Sequence, residues 1–101
     1  METTVADEIE LRFVDQVVIF ARVAPYLEPD GFTSYFKTFT LDCGGSVAVR
    51  VTWFEARGTW QADTMIGSIG LERIGRSSQE ALDNLVETLS ELDALLHALV
   101  G

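Results

Sequence analysis

Alternation of apolar and polar positions is clearest between Ser46 and Glu55. Val47, Val49, Val51 and Trp53 fall on one face there, and Ala48, Arg50, Thr52 and Phe54 on the other. A period of two is the mark of a strand with one buried face. Upstream, Phe32 to Leu41 is dense in aromatic and β-branched residues, with Tyr35, Phe39 and Leu41 on one side. Asp42-Cys43-Gly44-Gly45 reads as the turn between these strands, and Arg57-Gly58 as the next turn. Thr59 to Ile66 then forms a third strand, with Trp60, Ala62, Thr64 and Ile66 on one side. Short glycine turns between such strands predict an antiparallel meander. From Gly67 to Gly75 the chain carries three glycines, which either bend the third strand or open another short hairpin.

The period changes after Gly75. Leu82, Leu85, Leu89, Leu92, Leu96 and Leu99 recur at alternating spacings of three and four, and Val86 and Leu95 widen the stripe. Ser77, followed three residues later by Glu80, is a capping box. A stripe this wide suits a helix lying on a sheet, whereas a two-stranded coiled coil needs only a narrow seam. The N-terminal block has two readings. Glu8 to Phe13 alternates as a strand, Val17 to Val23 is β-rich, and Asp15-Gln16 would join them as a hairpin. Yet Ile9, Phe13, Val17, Phe20 and Ala24 also recur at helical spacing, with Thr4 as a cap, a Glu8–Arg12 pair and Pro25 as a stop. The density of β-branched residues favours the hairpin. Pro25 and Pro29 bracket the connection that follows, where Glu28-Pro29-Asp30-Gly31 has the chemistry of a tight turn. The expected architecture is α+β: an antiparallel β-meander of three to five strands, with one long C-terminal helix packed on one face.

With 101 residues, 48% of them apolar and 23% charged, residues 1–101 are expected to form one domain with a core. The formal charge of −9 argues against direct binding of nucleic acid, which needs a basic footprint, and against anionic membrane surfaces. No apolar run approaches the length of a membrane span. The start, METTVADEIE, is acidic where a signal peptide is basic, so a cytoplasmic location is expected. Cys43 is the only cysteine, which excludes an internal disulfide.

Candidate chemistry is sparse. His97 falls in the last turns of the helix, where an imidazole complements the dipole. Metal binding would need more ligands than His97 and Cys43 supply, so neither a metal nor a cofactor is expected. Nothing in the spacing brings His97 to Cys43 as a base for a thiol nucleophile. Ser77 and Ser78 suit capping better than catalysis, and neither a nucleophile elbow nor a phosphate loop occurs. The chain is therefore not expected to be an enzyme. In the simplest register Trp53 and Trp60 face one another across the Arg57-Gly58 turn. Such a pair stabilises a sheet, or anchors a partner.

Charge placement is more informative. From Ser77 to Gly101 there are five acidic residues and no lysine or arginine. Glu80, Asp83, Glu87 and Glu91 lie on the helix away from the leucine stripe, and their like-charge pairs at i,i+4 each cost a few tenths of a kcal/mol. A general acidic bias, as in a salt-rich cytoplasm, would give the same excess. The sharper reading is an acidic ridge complementary to a basic protein.

One resemblance accompanies these residues. Thr38 to Asp42, Gly44 to Arg50, Trp60, Gly75 and Ser78-Gln79-Glu80-Ala81-Leu82 resemble an uncharacterised bacterial family of short meander-plus-helix domains, over roughly residues 36–96. The stretch from Gly58 to Leu82 also resembles HicB-like antitoxin domains, but lacks their proline-containing loop, so neither their partner nor their role is carried over. Neither resemblance supplies catalytic residues. The expected function is a non-enzymatic, acidic interaction module of inhibitor or immunity type. It would meet a basic surface of a nuclease, toxin or nucleic-acid-handling complex through Glu80, Asp83, Glu87 and Glu91, with Trp53 or Trp60 as aromatic anchor. The alternative is an oligomeric adaptor or secretion-chaperone-like protein, such as a homodimer, that binds an apolar partner segment.

Overall fold

The computed structural model describes residues 8–23, 32–40, 46–66 and 68–100, except for the side chains of Phe32 and of residues 93–100. The turns assigned to Pro25–Gly31 and to Asp42–Gly45, and with them Cys43, lie outside the described residues, as do the side chains of Leu95, Leu96, His97 and Leu99. The elements are β1 (Glu8–Phe13), β2 (Gln16–Arg22), β3 (Phe32–Thr40), β4 (Ser46–Phe54), β5 (Thr59–Ile66), β6 (Ile69–Gly75) and α1 (Ser78–Val100). Each strand pairs antiparallel with its neighbours in the chain, giving one sheet in the order β1-β2-β3-β4-β5-β6.

Two expectations need correction. The sheet has six strands, not three to five. Of the two readings for the glycines after Ile66, the short hairpin is the one formed: Ile66 pairs directly with Ile69, and β6 runs back along β5 as far as the Trp60–Gly75 pair. The N-terminal block is the hairpin, but its turn is Val14-Asp15, one residue earlier than Asp15-Gln16, because Phe13 pairs with Gln16. Burial explains why the helical alternative loses. Leu11 and Phe20 are buried while Val17, on the helical stripe, is 61% exposed, so the period is two.

The inner face of the sheet carries Leu11, Phe20, Tyr35, Val49, Val51 and Ala62, all buried, and α1 lays Ala81, Leu82 and Leu85 against them. Each fully buried leucine contributes about 1.5–3 kcal/mol before entropy is counted. Phe13 stacks on Phe39 at 4.1 Å between ring centroids, and Phe20 meets Phe39 edge-on at 6.1 Å. On the outer face Ser34 and Thr52 are buried opposite one another and share a 2.9 Å hydrogen bond.

The start of α1 follows the capping expectation with one shift. Ser77 Oγ accepts from the Glu80 N–H at 3.0 Å, while the Glu80 carboxylate reaches past Ser77 to accept from the Arg76 N–H at 2.5 Å. Gly75 is needed by close approach: a Cβ there would lie 2.5 Å from the Ala81 nitrogen. The helix touches β1, β4, β5 and β6, so the sheet curls far enough for both of its outer strands to reach one helix. Gln79 makes the junction with β1. It accepts from the Arg12 N–H through Oε1 at 2.7 Å and donates from Nε2 to the Arg12 carbonyl at 2.8 Å. Asn84 makes the junction with β6, donating from Nδ2 to the Ile74 carbonyl at 3.0 Å.

Candidate interaction surface

At 100° per residue, Glu80, Asp83, Glu87 and Glu91 fall within an arc of about 80° on α1, opposite the buried Leu82 and Leu85. All four are exposed. Their surroundings differ along the helix. Glu80 holds the Arg76 N–H, so part of its charge serves the N-terminus of α1, where a carboxylate also suits the dipole. Asp83 accepts from Gln79 Nε2 at 2.8 Å, a residue that also holds Arg12. The Glu87 and Glu91 carboxylates make no hydrogen bond or ion pair among the described residues. No lysine or arginine side chain among the described residues lies within 4 Å of any of the four carboxylates. The described ion pair is elsewhere, between Arg50 Nε and Asp63 Oδ1 at 3.5 Å on the outer face of β4 and β5.

Trp53 and Trp60 do pair across β4 and β5, with ring centroids 5.5 Å apart and planes tilted by 47°. Trp60 packs against the core cluster, and both rings are half-buried. They lie on the inner side of the sheet and not beside the acidic stripe, so the structure does not bring the two sets of residues together.

The side chain that sequence reasoning missed is Gln79. It belongs to the first turn of α1, and its amide sits against the edge of β1 as the peptide group of a neighbouring strand would. Beside it an open groove of about 530 Å³ is lined by Glu10, Leu11, Arg12, Val17, Gln79 and Asp83. The groove places Asp83 of the α1 stripe and Glu10 of β1 on one lining, with Arg12 as its cationic member. A second groove, of about 370 Å³, lies over Arg50, Asp63, Met65 and Glu72. Among the described residues no group of three or more histidine, cysteine or carboxylate side chains is placed to hold a metal ion. No described helix is long and apolar enough to cross a membrane. In comparisons with known proteins, no family model, curated protein or solved structure matches this chain.

Proposed function

We propose that the chain is a non-enzymatic, acidic protein-interaction module of inhibitor or immunity type, which covers a basic surface on a nuclease, a toxin or a nucleic-acid-handling complex. One observation carries this reading: four carboxylates stand in line on the exposed side of α1, and no cationic side chain among the described residues neutralises them. Such a field speeds encounter with a cationic surface and rejects an anionic one. A panel of purified basic nucleases and toxins, measured by surface plasmon resonance, tests it. For a true partner the association rate falls by about tenfold or more between about 50 mM and 500 mM salt. The double variant Glu87→Gln/Glu91→Gln reproduces much of that loss. Affinity indifferent to ionic strength and to the double variant defeats the reading.

The adaptor reading draws on a different observation. Val17, Ile19, Phe36, Met65 and Ile74 are exposed on the outer face of the sheet. Analytical ultracentrifugation separates the two: a tight dimer that buries this face favours the adaptor, and a monomer favours the inhibitor.

A further inference from the structure

We infer that the free edge of β1 is a strand-addition site, and that its occupant is an extended segment of a basic partner protein in which cationic and apolar residues alternate. The inference rests on the proposed function and deepens it, since it says where and how the partner is held.

The backbone of β1 carries the argument. Arg12 gives both its N–H and its carbonyl to Gln79, so its peptide groups point away from β2. In an antiparallel strand this direction alternates, so Glu10 and Glu8 present their N–H and carbonyl groups to the same side. β1 is the outermost strand, and no strand pairs with that side among the described residues. The Gln79 amide shows that the edge accepts ladder geometry, because its two bonds of 2.7 and 2.8 Å are those that one residue of an added strand would make. Two residues further back, at Glu10, the same groups meet no partner among the described residues.

The chemistry of the occupant follows from the side chains. Glu8 and Glu10 project to the outer face of the sheet, whereas Ile9 and Leu11 project inward. An added strand therefore sets one row of residues beside two carboxylates and the alternate row beside Ile9. Cross-strand pairs of opposite charge stabilise, and like charges directly opposite destabilise. At the far end of the groove Asp83 adds a third carboxylate. The same reasoning disfavours a second copy of this chain. Gln79 already occupies Arg12, which leaves Glu8 and Glu10 as the open positions, and antiparallel self-pairing there sets Glu8 against Glu10 of the copy.

The probe is the capped peptide Lys-Val-Lys-Val-Lys-Val, titrated into the full chain and followed by fluorescence anisotropy and by amide exchange. Binding is expected to slow exchange at the Glu8 and Glu10 amides. N-methylation of the peptide amides that face β1 removes those bonds and is expected to weaken binding by about tenfold or more, while methylation of the alternate amides leaves it intact. Glu8→Gln/Glu10→Gln is expected to weaken binding by about fivefold. Absence of binding at millimolar peptide overturns the inference, as does a dimer of the free chain that protects β1. Binding that ignores N-methylation but is lost in Glu87→Gln/Glu91→Gln also overturns it, and leaves the acidic-ridge reading standing. Loss of salt-dependent partner binding with peptide addition intact has the opposite meaning.

Discussion

Val14 occupies the first central position of the β1–β2 turn with φ of 58°, in the left-handed region that β-branched residues avoid. Its side chain is 59% exposed, so little burial offsets that strain. Val14→Asn keeps the turn and removes the conflict, and it is expected to raise stability by about 1 kcal/mol in urea unfolding. Gly75 shows the opposite dependence. Its φ is ordinary, but the space a methyl group would need is filled by the Ala81 backbone. Gly75→Ala is expected to cost about 2–3 kcal/mol in the same measurement, because a rigid helix start cannot yield as a flexible side chain would. Both residues were visible in the sequence only as types. That one faces strain and the other a collision depends on turn position and on the approach of a distant element.

Among the elements, β4, β5 and α1 were the most legible, because each buries residues of one face in the core at an undisturbed period. Val47, Val49 and Val51 are buried where alternation puts them, and Leu82 and Leu85 where the helical stripe puts them. β6 was the least legible. Its pattern of exposed Ile69, Gly70 and Ile74 carries no clean alternation, because it is an outer strand with little to bury. Glycine density there signalled a change of direction without saying whether the chain would pair again. The junctions between elements were not legible at all. Gln79 and Asn84 are ordinary helix residues until the sheet curls and brings Arg12 and Ile74 to them. Gln79→Ala is expected to cost about 1 kcal/mol and to speed amide exchange at Arg12, while exchange within β4 stays unchanged. Equal acceleration in both strands would mean that Gln79 acts through global stability.

At the scale of the molecule, the acidic stripe was readable because it needs only the helical period, whereas the acidic edge was not. Glu8 and Glu10 look like any outward pair of a hairpin, and only the strand order makes β1 terminal in the sheet. Strand order is set by which neighbours each strand finds, and a single chain of letters does not display it. Glu10 of β1 and Asp83 of α1 line one groove, together with Arg12 and Gln79. If a basic partner binds as proposed, long-range attraction along α1 and backbone pairing along β1 act side by side, with electrostatics governing arrival and hydrogen bonding governing residence.

The helix that ties down both outer strands comes after all six of them in the chain. During synthesis the strands therefore leave the ribosome before Gln79 and Asn84 do, and for that interval both margins of the nascent sheet are uncovered. Bare margins are where neighbouring chains stick together. Emergence of the first two turns of α1 covers Arg12 and Ile74 and so shortens the bare stretch of both margins, which makes those turns an aid to productive folding as well as a lid on the core.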